Sequence, residues 1–242
     1  MRKQYRWFPS VLLVLALLLA GCGGEEKDIS GSVTPQLTSA VTQPQETTAP
    51  TEEDNPMSLG RIEGGVYANT YAGFGCELDS DWVYYSAEEL QTLPDNVEEL
   101  FSDSELGASI ADSTQIFDMK AENATDLTTM NVIFTKLSMQ ERLAYALLSE
   151  SEIMDAILEQ QDLLTEAYTQ AGIEVSSMEK VQVEFLGQER YAIRTVAATQ
   201  GIGYYILQLY DYTAGQYSMT LTLGSYIEDQ TRDLLDLFYA ID

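Results

Sequence analysis

The stretch VQVEFLGQERYAIRTVAATQGIGYYILQLYDYTAGQYSMTLTL, residues 181–223, decides the fold. Val181, Val183 and Phe185 alternate with polar residues, the period of a strand with one buried face. Tyr191, Ile193 and Thr195 repeat the pattern, then Tyr205, Leu207 and Leu209, then Met219, Leu221 and Leu223. Turn residues fall at Gly187, at Gly201 to Gly203 and at Ala214-Gly215. Four strands with short links predict an antiparallel meander.

Upstream, residues 62–78 read as two strands joined by a Gly-containing turn, with Phe74, Cys76 and Leu78 facing inward. Ser86-Ala87-Glu88-Glu89 is a capping box and predicts a short helix before Pro94. A further helical piece is expected from Val97 to Ile110. Strands are expected over 114–120 and 130–137, and a helix over 139–148. Ser149-Glu150-Ser151-Glu152 opens the longest predicted helix, 150–171. Its face carries Ile153, Ile157, Leu164 and Tyr168, and Gly172 ends it. Downstream of the meander, one amphipathic helix is expected, capped by Ser225 through Glu228, with Ile227, Thr231, Leu234, Leu235 and Phe238 inside. Together these elements define an α+β domain, an antiparallel sheet flanked by helices.

The chain has 242 residues, with 39 acidic and 12 basic side chains, for a net charge of -27. Such a charge repels phosphate backbones, so nucleic acid is not an expected partner. Histidine is absent, which removes Ser-His-Asp and Cys-His catalysis and the helical zinc-binding motif.

The N-terminus has its own logic. Arg2, Lys3 and Arg6 precede VLLVLALLLA, residues 11–20. This apolar run is too short to cross a bilayer core of about 30 Å. A basic start, a short apolar centre and small residues spell a secretory signal peptide, residues 1–21. Leu19-Ala20-Gly21-Cys22 resembles the lipobox of bacterial lipoprotein signals. The resemblance implies recognition through Leu19, Ala20 and Gly21, cleavage before Cys22, and a diacylglycerol on the Cys22 sulfur. Removal of the leader takes the formal charge from -27 to -30. Residues 22–58 are rich in Thr, Ser, Pro, Gln and Glu and lack hydrophobic period, the composition of a disordered tether. A flexible chain of this length has a root-mean-square span of roughly 35 Å. The domain is then expected over 59–242, on the extracytoplasmic face of a cell membrane.

Tyr67-Ala68-Asn69-Thr70-Tyr71-Ala72-Gly73-Phe74, followed by Asp81-Trp82, resembles the opening of PsbP-like domains in small bacterial lipoproteins. The resemblance implies an α/β/α sandwich around an antiparallel sheet, over about residues 60–242. That group often has Pro-x-x-Trp where this chain has Asp79-Ser80-Asp81-Trp82. The fold serves such proteins mainly as a binding scaffold.

The chemistry-bearing candidates are few. Cys76 lies between Phe74 and Leu78 on one strand face and is read as a buried small hydrophobe. Asp79 and Asp81 suggest calcium, but Val83, Tyr84 and Leu90 stand where an EF-hand loop needs oxygen ligands and glycine. Asn123-Ala124-Thr125 fits a glycosylation sequon, taken as chance in a bacterial chain. Asp81, Trp82, Tyr84 and Tyr204 form the candidate binding surface, since Tyr and Trp combine apolar area with a polar tip. No cofactor, metal or catalytic residue is assigned. The expectation is a monomeric, non-enzymatic lipoprotein, bound to the membrane through its lipid, that takes a protein or small-molecule ligand. The alternative is a carboxylate-based extracellular hydrolase acting on envelope or glycan substrates.

Overall fold

The computed structural model describes residues 57–93, 115–211 and 216–241. The leader, Cys22, the tether, the helix expected at 97–110 and the turn at Ala214-Gly215 lie outside them. The fold is α+β, with antiparallel sheets and a few helices. Four short strands, β1 (Arg61–Glu63), β2 (Val66–Asn69), β3 (Phe74–Glu77) and β11 (Phe238–Ala240), form one sheet in the order β1-β2-β3-β11. Seven strands form the other. They are β4 (Trp82–Tyr84), β5 (Gln115–Asn123), β6 (Thr128–Lys136), β7 (Ile173–Phe185), β8 (Gln188–Thr199), β9 (Ile202–Asp211) and β10 (Tyr217–Tyr226). Their order is β4-β5-β6-β10-β9-β8-β7, so the predicted meander runs inward from the β7 edge.

Both faces of the large sheet are covered. Helix α1 (87–93), α2 (Met139–Tyr145), α3 (Glu150–Leu158) and α4 (Gln161–Gln170) follow in the chain. Ile153, Met154, Ile157, Leu164 and Tyr168 pack with Ile133, Ile193, Ile206 and Tyr210 in one core. On the opposite face the small sheet adds Tyr67, Phe74, Cys76 and Phe238 to Met119, Val132, Leu207 and Leu221. Phe74, Phe185 and Phe238 meet pairwise at 5.6–5.8 Å between ring centres, in edge-on geometry.

Three sequence expectations change. Residues 62–78 hold three strands rather than two. Gly64 and Gly65, at φ 60° and 87°, make a tight turn there that a Cβ would strain. The helix expected over 150–171 is two helices, broken at Gln160 with φ −104° and ψ 15°. The break lets each segment follow strands that twist away from a straight axis. The predicted terminal helix is replaced by a short 3-10 turn, Asp233–Leu237, and strand β11. Ile227 has φ 70°, incompatible with helix, and Ser225 Oγ accepts the Gln230 N–H instead of capping at Glu228. Pairing Phe238 with Cys76 completes the small sheet and seats an aromatic ring in the core, which an exposed-ended helix cannot do.

Other expectations hold. Ser86 and Ser149 each accept a backbone N–H from a glutamate three residues on, whose carboxylate accepts theirs, and Ser138, with no cap expected there, does the same at α2. Gly172 stands at φ 75°, next after the Ala171 cap of α4.

Candidate functional site

At the β4–β5 margin of the large sheet lies a cleft of about 650 Å³. The start of the small sheet (Leu59, Gly60, Ile62), the end of β4 (Tyr84, Tyr85), α1 (Ala87, Leu90, Gln91) and the start of β5 (Gln115 to Asp118) line it. Most of that lining is apolar or aromatic, as ligand sites commonly are.

Asp118 is the carboxylate among the described lining. It occupies a β-bulge between Phe117 and Met119, where the register with β6 shifts. The extra residue turns the side chain away from the helices and under the small sheet. There Oδ2 accepts from Tyr67 Oη at 2.5 Å and Asn69 Nδ2 at 2.7 Å, and Oδ1 accepts from Gly60 N at 2.8 Å. The close approach at Gly60 needs glycine, because a Cβ would collide with the Tyr67 ring and sit 2.9 Å from Asp118 Oδ2. With three donors satisfied, this carboxylate is a structural anchor and not a base facing solvent.

Behind Tyr85 a polar row enters the core. Lys120 Nζ donates to Tyr85 Oη at 3.0 Å and pairs with Glu122 at 2.9 Å, and Tyr85 Oη donates to Glu122 at 2.8 Å. Lys120 stands opposite Asn131, Asn131 opposite Thr222, and Thr222 opposite Gln208. All four are buried. Gln208 reaches Thr222 at 3.5 Å and accepts from Tyr210 at 3.2 Å, whereas neither polar atom of the Asn131 side chain has a partner.

The sequence-derived surface does not stay together. Tyr84 lines the cleft, donates to Gly65 O at 3.2 Å and lies 3.6 Å from Cys76 Sγ. Trp82 is half-buried against the core under the small sheet, outside the cleft lining. Asp81 is exposed on the turn before β4, its N–H donating to Asp79. Tyr204 is fully buried, stacked on Tyr226 at 4.5 Å, and so is no part of a surface. Along β9 Tyr204 is the member of its tyrosine pair that points under the helices, and Tyr205 is the partly exposed one. Asp118, Lys120 and Asn131 were missed. Their signal was charge and amide inside otherwise apolar strands.

Cys76 is buried and free, and burial pushes its thiol up to about 11 despite the Tyr84 hydroxyl that lowers it. That matches the core reading and leaves it a poor nucleophile. Among the described residues no cluster of three or more metal-ligating side chains occurs, and no helix is long and apolar enough to cross a membrane.

No family model matches the chain, and no curated protein does. Among solved structures it is similar to the solution structure of cyanobacterial PsbP (CyanoP) from Synechocystis sp. PCC 6803. That likeness has 10% identity, covers 77% of this chain and 95% of that one, and has a TM-score of 0.38. It brings no activity with it.

Proposed function

We propose that the chain is an extracytoplasmic lipoprotein of the PsbP-like kind, held at the membrane through Cys22, whose domain binds a small, largely apolar ligand in the cleft beside Tyr84 and Tyr85. The observation that carries the binding reading is the cleft itself, about 650 Å³ with Leu59, Ile62, Leu90, Ile116 and Phe117 in its walls. Polar groups at its rim, Ser86 and Gln91 among them, are suited to orienting such a ligand. Hydrolysis draws no support from the described lining, since a two-carboxylate mechanism needs a second, facing acid and Asp118 is fully engaged. The leader and Leu19-Ala20-Gly21-Cys22 support the anchor, and the residues from Tyr67 to Phe74 support the family reading.

The neutral dye N-phenyl-1-naphthylamine serves as the probe. It is expected to bind the mature chain at one site. Ala87→Trp, which fills the cleft from its exposed wall, should weaken that binding about tenfold, or about 1.4 kcal/mol. Unchanged affinity in the variant would place the binding elsewhere and reject the cleft. Separately, Cys22→Ser should release the leader-free chain from the membrane fraction.

A further inference from the structure

Helix α2 packs through Tyr145 and leaves a bare apolar stripe. Met139, Leu143 and Leu147 follow at four-residue spacing and are 68%, 63% and 85% exposed. Met139 and Leu143, four apart, share one face of α2, and exposed Leu147 follows in the turn directly after the helix. Isolated exposed apolar residues need no explanation, but three within nine residues along one helix and its closing turn do.

Two observations say what covers the ridge. The first is position. β6 runs into α2 at the end of the sheet where β5 begins, since Gln115 stands opposite Thr135. The described chain starts at this same end, where Gly60 bonds to Asp118 and Leu59 lines the cleft and is itself 59% exposed. Upstream of it lie the tether and Cys22. The second is charge. In a chain of net charge -27, residues 136–148 hold two bases, Lys136 and Arg142, and a single acid, Glu141. That acid is buried and turned back to the Ser138 N–H at 2.7 Å. A competing apolar group, Leu127, Ile202 and Ile227, lies at the opposite end of the sheet. There exposed Asp126 and Glu228 flank it, beside an Asp229 paired with Arg194 at 2.7 Å, and the two carboxylates disfavour approach to anionic headgroups.

We infer that the α2 end of the domain rests on the lipid surface, with Met139, Leu143 and Leu147 in the interfacial layer. This rests on the anchoring proposed above. The lipid tether keeps the domain at high local concentration near the bilayer, so a small apolar ridge suffices for contact that it could not hold alone. The cleft then opens close to the membrane, where an apolar ligand partitions.

The test uses the full mature, lipidated chain in phosphatidylcholine vesicles. An NBD label is placed through Leu143→Cys or, at the opposite end, Ile202→Cys. Buried Cys76 stays unlabelled. Sedimentation with vesicles reports anchoring, and quenching by brominated lipid reports docking. At position 143 roughly half of the emission should be quenched, with position 202 unaffected, as expected for side chains at the acyl boundary. Amide exchange of residues 139–148 should slow on vesicles, a readout free of labels. Sedimentation without quenching at 143 overturns the docking and leaves the anchor standing. Quenching at 202 instead assigns contact to the other end and equally overturns it. A chain that fails to sediment removes both.

Discussion

Tyr67 Oη donates to Asp118 Oδ2 across 2.5 Å, and this buried bond ties the small sheet to the large one. The same oxygen takes Asn69 Nδ2, and the other takes Gly60 N–H. Asp118→Ala strands all three donors, so it should cost about 3 kcal/mol in urea unfolding. A loss below roughly 1 kcal/mol would mean that the aromatic core holds the sheets together without it.

Asn131 sets the opposite expectation. Its amide is fully buried in the row between Lys120 and Thr222, with both polar atoms unpaired. Replacing an unsatisfied polar group by an apolar one of similar shape removes a penalty, so Asn131→Val should stabilise by about 1–2 kcal/mol. Destabilisation in the same denaturant experiment would show that the row holds an ordered polar occupant.

Ile227 concerns backbone and not packing. A β-branched residue at φ 70° is strained, and its side chain is 61% exposed, so little contact is lost on replacement. Ile227→Asn is expected to stabilise by about 1 kcal/mol. For a domain of this size that raises the melting temperature by about 3 °C. A lowered melting temperature would contradict the strain.

Alkaline pH should unfold the domain cooperatively. Burial raises Tyr67, Tyr204, Tyr210 and Tyr145 above their ordinary value of 10.0, and Cys76 from 9.0 to about 11. These groups stay protonated in the native state while the unfolded chain sheds their protons. Stability is therefore complete below pH 9.0 and falls as pH climbs through 9.0 and 10.0, where the unfolded groups ionise. Tyrosinate absorbance and far-ultraviolet circular dichroism should change together. Early ionisation of these tyrosines in folded protein would refute it.

Strand periods in 181–223 and capping boxes at Ser86 and Ser149 were legible because alternation and capping are local physics. The site was half legible. Tyr84 stood out as an aromatic candidate beside Trp82, and it does line the cleft. Asp118 and Lys120 did not, because strand alternation sends a charge to water and neither the bulge nor the second covering layer leaves a sequence period. Tyr204 was misplaced for the same reason, since a strand covered on both faces still carries polar and aromatic residues.

What the sequence determined by itself was short-range: the α+β class, the meander and three helix starts. Each follows from residues within one turn or one strand of each other. Tertiary structure decided the rest. It converted the tail from helix to β11, because an open edge at β3 and a vacancy beside Phe74 and Phe185 outweighed local helical preference. It also gathered Leu59 from the segment before β1, Tyr84 from β4, Leu90 from α1 and Asp118 from β5 around one cleft, and no spacing along the chain encodes that proximity.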